Sequence, residues 1–434
     1  MKNGIAIFDI GKTNKKFFVF QQEDYQILHQ ESTCFLEIED ADGFPSDDLT
    51  GIENWMKDRL SWALSQKEFD IKALNVSAYG ASLVHLGKNG EPVLPLVNYL
   101  KPIPEEVLDQ FYTQYGSSQQ IARETGSPAL AMLNSGLQLY WLKHTQPEVF
   151  RHVHTTLHFP QYLSYLFSRI PVSEFTSVGC HTALWDMEVH QYHHWVLQEK
   201  LDSLFPPFTQ STSQQVVLEG HQLRIGHGLH DSSSALIPYL ASEKQPFCLL
   251  STGTWSIALN PFSNDPLTTE ELKHDCLCFL QPNGKQVKAS RLFLGQEHKE
   301  QVEKLNAHFS TSPSYHQSLS FQPKHLQTPR SGAIPFFHVT DDNLPSKALD
   351  LSRCTGYDEA YHVLIQELVR LQVTALMRAI GSSRPSRLLV DGGFSRNKIF
   401  VELLADALPD MDVIVITESP GSALGAAMAI AKDL

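Results

Sequence analysis

One local pattern occurs twice in this chain, about 240 residues apart, and that repetition constrains the fold more than any other feature. IAIFDIGKTNKKFFVF near the N-terminus and FCLLSTGTWSIALNP past the midpoint each read as an apolar strand, a tight turn of small and hydroxyl residues, and a second apolar strand. Gly11 and Gly253 free the two turns from a β-carbon, so successive N–H groups can converge on an anion, above all a phosphate. A single hairpin of this composition is ordinary turn chemistry. One in each half of the 434 residues points to a duplicated fold that grips a polyphosphate between its halves.

The length suits two domains. A hydrophobic content of 42% with 19% charged residues is that of an ordinary globular protein. The formal charge of −14 argues against broad binding to nucleic acid or to an anionic membrane. Met1-Lys2-Asn3-Gly4 runs straight into a strand, and no run approaches the roughly 18 apolar residues that span a bilayer. The expectation is a cytoplasmic protein. Cys276 and Cys278 alternate along a strand and read as buried thiols. His152, His154 and His158, like His190, His193 and His194, lack carboxylates or cysteines at metal-site spacing and read as surface or helix-face histidines.

Along the chain, strands are expected at Ile5–Phe8 and Phe17–Phe20, a helix over Glu53–Leu64, and a strand at Ala73–Ser77 ending in AYGAS. Residues 105–168 read as mainly helical, and a further helix is expected over Tyr192–Leu201. The cluster of Gly220, Gly226 and Gly228 marks the expected lobe boundary, giving lobes at 1–225 and 226–434. In the second lobe, GLHDSSSALIPYL carries a short helix with Ser232 or Ser233 as cap, and Leu294–Phe309 and Tyr357–Ile380 read as helices. Residues 310–331 read as a loop or insertion, and a closing α/β unit follows from Arg387.

Three segments can carry chemistry. Asp9 ends an apolar strand beside Gly11-Lys12-Thr13; it can anchor hydrated magnesium or simply make a turn to backbone N–H groups. His230-Asp231 stands at a helix start, as an N-cap or as a catalytic carboxylate with a hydroxyl to deprotonate. In LLVDGGFSRNKIF, Gly392 and Gly393 let a flat or charged ligand approach the backbone before a helix N-terminus. Neither the P-loop nor the G-x-G-x-x-G dinucleotide pattern is present.

In this order the motifs resemble the FGGY family of carbohydrate kinases, within the actin, hexokinase and heat-shock ATPase superfamily, over nearly the whole chain from Ile5 to Ala431. DIGKTNKK resembles the first phosphate motif, STGTWSIAL the second, DGGFSRNKIF with ESPGSALGAA the adenosine region, and GLHDSSSAL the catalytic segment. SGTW-like and HD-x-x-S-A elements are similar to rhamnulokinases.

The resemblance implies an α/β fold of two actin-like ATPase (ribonuclease H-like) lobes around a central cleft. The first lobe would bind the sugar and carry the first phosphate motif; the second would bind nucleotide and carry the catalytic aspartate. It implies ATP and Mg2+ as cofactors and a small ketose or polyol as substrate. Asp231 would be the general base and Asp9 would orient magnesium. Thr13 and Lys16, with Gly11, would face the phosphates. Gly253 and Thr254 would hold the γ-phosphate, and Gly392, Gly393 and Asn397 would frame the α-phosphate and adenosine. His230 would touch the sugar, alongside Tyr79, Gly80 and Ser82.

Three sugar-reading segments depart from the family. Where many relatives carry an acidic residue after a tryptophan and glycine, this chain has Tyr79-Gly80-Ala81-Ser82. A Tyr-Arg-Asp-like element becomes Tyr99-Leu100-Lys101-Pro102, and Pro-Asp-Tyr-Leu becomes Pro160-Gln161-Tyr162-Leu163. Losing a charged acceptor costs a former substrate about 1.5–3 kcal/mol, so a non-standard sugar is expected. A non-catalytic sugar- or nucleotide-responsive module on the same fold is the alternative reading. A homodimer stays open as the state of assembly.

Overall fold

The computed structural model describes the chain except residues 41, 210, 326–350, 352–353 and 417–420. The chain forms two compact units. One comprises Met1–Ser242, Leu277–Gln286 and Pro420–Leu434, the other Glu243–Cys276 and Val287–Ser419.

The sheet of the first unit is built from β1 (Lys2–Ile10), β2 (Lys15–Gln21), β3 (Ile27–Thr33), β4 (Phe69–Ala78), β5 (Ser213–Leu218), β6 (His221–Gly226) and the short β7 (Leu229–His230). Its order is β5-β6-β4-β1-β2-β3, with β7 also on β4. The β1–β2 and β2–β3 pairs are antiparallel, whereas β4 runs parallel to β1, β6 and β7. β1 is apolar in both phases because both faces are covered. Ala6, Phe8 and Ile10 join Ile52, Met56 and Leu60 of the helix Leu49–Leu64. Ile5 and Ile7 meet Ala423, Ala426, Ala427 and Ile430 of the C-terminal helix Ser422–Ala431. Asp9 therefore points, with the odd residues, to the C-terminal-helix side.

In the second unit the strands are β8 (Phe247–Thr252), β9 (Ser256–Asn260), β10 (Gln286–Leu292), β11 (Arg387–Gly392) and β12 (Asp412–Val415). They lie in the order β10-β9-β8-β11-β12. Two antiparallel pairs are again followed by two parallel ones. The expected duplication is thus a repeat of topology as well as of hairpins. Cys248 and Leu250 bury one face of β8 against Leu364, Leu368 and Leu376 of the helix Tyr357–Ile380 and Phe400 and Leu404 of Lys398–Ala407.

Several element bounds differ from expectation for identifiable reasons. The helix expected at Glu53 begins at Leu49 because Asp48 caps it, accepting from Gly51 N at 2.9 Å. The helix expected over Tyr192–Leu201 shrinks to His194–Gln198, since Tyr192 pairs as a strand with Trp185 and His193 becomes the cap. Within 310–331, the segments Tyr315–Ser318 and Pro323–His325 are single turns, and 326–331 lie outside the described residues.

The lobe boundary expected at 225/226 does not coincide with Ser242, where the first unit's N-terminal segment ends. β7 pairs with β4 through Leu229↔Ser77 and His230↔Ala78, and Gly228 N donates to Asn75 Oδ1 at 3.2 Å. The helix Asp231–Ser242 then crosses the C-terminal helix so closely that a β-carbon on Gly425 would lie 1.8 Å from Ser234 O. Asp231, expected at the head of the second lobe, therefore belongs to the first unit, as does GSALGAA, expected beside adenosine. Glu418–Pro420 of that motif lie outside the described residues.

Candidate active site: two half-sites

In the first unit, two carboxylates converge at the ends of parallel strands. Asp9 sits across from Lys16 on β2 and Ser77 on β4, and its Oδ1 accepts from Ser422 Oγ at 2.7 Å. Burial pushes its carboxyl up to about 6, and the Asp231 charge adds to the rise, while Ser422, Lys16 and Ser77 pull the other way. Asp231 opens its helix; Oδ1 accepts from Ser232 N at 2.6 Å and Ser232 Oγ at 3.2 Å. Burial also raises this carboxyl to about 6, although 35% of its side chain remains exposed. Ser233 does not cap: its hydroxyl donates to Leu280 O at 2.9 Å.

His230, 4% exposed, places Nε2 3.2 Å from Asp231 Oδ1 and 3.0 Å from Cys180 Sγ. Burial drives its pKa down to about 3, so the ring is neutral, and its Nδ1 has no partner among the described residues. Gly80 is glycine for want of room: a β-carbon there would meet Cys180 Sγ at 2.4 Å and His230 Cδ2 at 3.1 Å.

The AYGAS segment is closed off by a carboxylate the sequence reading missed. Tyr79 OH donates to Asp47 Oδ2 at 2.8 Å, Lys12 Nζ donates to the same oxygen at 2.6 Å, and Lys15 Nζ reaches Oδ1 at 3.3 Å. Asp47 is 7% exposed; burial works against its charge, but Lys12, Tyr79 and Lys15 outweigh it and hold the carboxyl below its usual range. Its only sequence signal is the N-terminal neighbourhood of a helix. Ser82 is buried and its carbonyl accepts from Phe159 N at 3.0 Å. Two other rewritten positions serve the protein itself. Gln161, 1% exposed, donates to Gly228 O at 2.8 Å, and Lys101 binds Asp40 at 2.6 Å.

Both hairpin glycines close their own turns: Gly11 N donates to Asn14 O at 3.0 Å and Gly253 N to Trp255 O at 2.8 Å. Thr13 lies exposed at the first tip, and Lys16 is half-buried.

In the second unit, a cavity of about 710 Å³ opens beside the second hairpin. Gly253, Thr254, Gly393 and Asn397 all line it, together with Gly295, His298, His316 and Tyr361. A β-carbon on Gly253 would meet nothing nearer than Trp255 O at 3.7 Å, and one on Gly393 only Thr252 O at 3.9 Å, so both present bare backbone to open space. Gly392 differs. Its φ is +89° and a β-carbon would lie 1.9 Å from Thr252 O, so it makes the close turn after β11 and is absent from the cavity wall. Gly295, which sequence reasoning passed over, lets its helix meet the hairpin, donating to Thr254 O at 3.1 Å. Asn397 caps the helix Lys398–Ala407 through Phe400 N at 3.2 Å and donates to Tyr361 OH at 2.9 Å.

These surfaces fit the expected groups. Two carboxylates of raised proton affinity are hard oxygen donors of the kind that suits magnesium with its water shell. A glycine-walled cavity at two backbone turns suits a nucleotide.

Among the histidines, Glu124, His193 and His194 each place a ligand atom within 4.8 Å of the others. His193 is fully buried, contrary to the surface reading; it pairs through Nε2 with Glu124 Oε2 at 2.8 Å and accepts Trp195 N–H on Nδ1 at 3.5 Å. Both ring nitrogens are committed to packing the helix start. Cys276 and Cys278 are buried, as expected. No described helix is long and apolar enough to cross a membrane.

Two mixed α/β units of matching strand order, each with a phosphate-type hairpin, define an actin-like ATPase fold. Residues 5–223 match the N-terminal domain of the FGGY family of carbohydrate kinases, and 244–434 match the FGGY carbohydrate kinase C-terminal domain. The chain belongs to this family and is a carbohydrate kinase. It is 23% identical to L-fuculokinase of Escherichia coli (strain K12) over 376 residues, covering 83% of this chain and 77% of that protein. It is 26% identical over 202 residues to a rhamnulokinase of Halalkalibacterium halodurans, covering 43% of this chain and 41% of the relative. The crystal structure of a carbohydrate kinase from Novosphingobium aromaticivorans superposes with a TM-score of 0.80 at 25% identity, covering 100% of this chain and 92% of the other.

Proposed function

We propose that this kinase transfers the γ-phosphoryl group of ATP to a hydroxyl of a small ketose, such as a pentulose or deoxyhexulose, or of a polyol, with Asp231 as general base. The observation that carries the reading is the Asp231 carboxyl. It heads a helix in the first unit, keeps 35% of its side chain open, and has a pKa near 6. Such a group is ionised at neutral pH and still basic enough to take a proton from an attacking hydroxyl. His230 would touch the sugar beside Asp231, and Tyr79, Gly80 and Ser82 would support that side of the site.

Thr13 and Lys16 on the first hairpin would meet the phosphates, with Gly11 shaping the turn. Gly253 and Thr254 would hold the γ-phosphate; Gly393 and Asn397 would frame the nucleotide, with Gly392 making the turn that presents them. Asp9 would hold magnesium through water, and the bound ion supplies charge neutralisation to the polyphosphate. Positioning and charge stabilisation are what phosphoryl transfer chiefly demands. The reaction belongs in the cytoplasm, where ATP is available and buried thiols such as Cys248, pushed up to about 12 by burial, stay reduced.

The test is ADP release with ATP and magnesium across a panel of ketoses, aldoses and polyols, with Asp231→Asn as blank. One sugar should raise the rate far above the sugar-free baseline. A flat panel in a protein that binds ATP would favour the non-catalytic module.

A further inference from the structure

A buried carboxyl outside the proposed chemistry connects to the catalytic segment through a single hydroxyl. Glu174, 8% exposed, precedes the helix Phe175–Val178, and its Oε2 accepts from Thr176 N at 2.7 Å and Ser177 N at 3.3 Å. The same oxygen accepts from Thr176 Oγ1. Thr176 is fully buried, and its Oγ1 accepts in turn from the backbone N–H of His230 at 2.9 Å. A hydroxyl has one proton. With that proton committed to Glu174, the oxygen lone pair is fixed toward His230 N–H, so the direction of both bonds is set.

The place being held is a short pairing on β4, Leu229↔Ser77 and His230↔Ala78. β7 is two residues long and ends where Asp231 begins. Among the described residues the Asp231 side chain bonds to the adjacent Ser232 and His230, so its orientation follows the backbone at His230. An N-cap for a four-residue helix needs no glutamate, since shorter Asp, Ser or Thr side chains do that better. A glutamate can also reach the hydroxyl of Thr176. Its burial is costly: desolvation pushes the carboxyl up to about 8, and Oε1 has no partner among the described residues.

We propose that Glu174 and Thr176 are positioning residues, a two-link brace that fixes the His230 backbone and through it aims the Asp231 carboxyl. The inference rests on Asp231 being the base. Misaiming a catalytic group by about 1 Å can cost on the order of a hundredfold in rate, whereas loss of a mere helix cap would change stability alone.

Thr176→Val removes the hydroxyl at constant shape and leaves the backbone caps intact. Glu174→Asp keeps a good cap but withdraws the carboxyl from the hydroxyl. Rates are taken per ATP-binding-competent molecule, so that loss of folded protein does not count. Thr176→Val is expected to lower kcat at least tenfold with the KM for ATP within twofold, and Thr176→Ser, which restores the hydroxyl, to return kcat to within about threefold of wild type. Glu174→Asp should lower kcat in the same way, and it decides the matter should Thr176→Val not fold. A kcat within twofold of wild type in either folded variant overturns the brace. Asp231→Asn is measured alongside. If it is inactive while the brace variants are wild type, only the brace fails; if it turns over normally, the assignment of the base fails first.

Discussion

Ser422 Oγ donates to Asp9 Oδ1 at 2.7 Å, joining the start of the C-terminal helix to the end of the first strand within one compact unit. This bond holds down a carboxyl that burial raises to about 6. In their proposed roles Asp9 and Asp231 both act ionised, so kcat/KM for the sugar should rise with pH through about 6 and level off above it. Ser422→Ala removes a stabilising donor and should move that acid limb upward by about half to one unit. A pH–rate profile that stays in place would sever the link between Ser422 and Asp9.

The same raised pKa predicts a trade of stability for activity. A carboxyl whose folded pKa lies above its ordinary 3.8 stabilises the fold only when protonated; that contribution is complete below about 3.8 and lost as pH rises through about 6. Asp231→Asn removes the ionised group and should raise Tm at pH 8, by about 1–2 °C because the side chain is partly exposed. Scanning calorimetry at pH 8 and pH 5 is the check, and the gain should shrink at pH 5.

The glycines of the second unit should separate into two kinds. Gly392→Ala forces a β-carbon onto Thr252 O at a φ of +89° and should destabilise by about 2–4 kcal/mol. Gly253→Val points its side chain into open space; it should leave Tm nearly unchanged and raise the KM for ATP about tenfold or more. Equal effects of the two on Tm, or unaltered ATP kinetics in Gly253→Val, would contradict this division.

Asp47 neutralises Lys15, a residue 1% exposed whose ammonium, among the described residues, also donates to Lys12 O at 2.8 Å. Asp47→Asn should therefore cost about 3 kcal/mol in a denaturant titration, because a buried cation is left without its counter-charge. Adding Lys15→Met should recover a large part of that loss. Additive penalties in the double variant would show that the pair is not coupled.

Much of this was legible from local signals. Two apolar runs flanking Gly11 and Gly253 dictated hairpins, and the strands came out as paired β1–β2 and β8–β9. Asp9 and His230-Asp231 stood out because charged residues interrupt or follow apolar runs. Asp47 did not, since nothing near it in sequence foretells Tyr79 or Lys15. Glu174 and Thr176 were equally silent, since Thr176 lies 54 positions from the His230 amide that it holds. Gly80 and Gly392 look alike in the sequence, yet one is set by Cys180 and the other by Thr252.

The sequence alone thus determined the duplicated hairpins, the order of the motifs and the residue types able to bind phosphate and move a proton, because turn chemistry and hydrophobic period are properties of neighbouring residues. Only the tertiary structure decided that Asp231 belongs with the first sheet, that Ser422 serves Asp9, and that the rewritten Gln161 and Lys101 bond to the protein itself. Those outcomes depend on which buried polar group finds which partner. In a close-packed interior every such group must find one or bear its desolvation, and the choice is made across the whole unit at once.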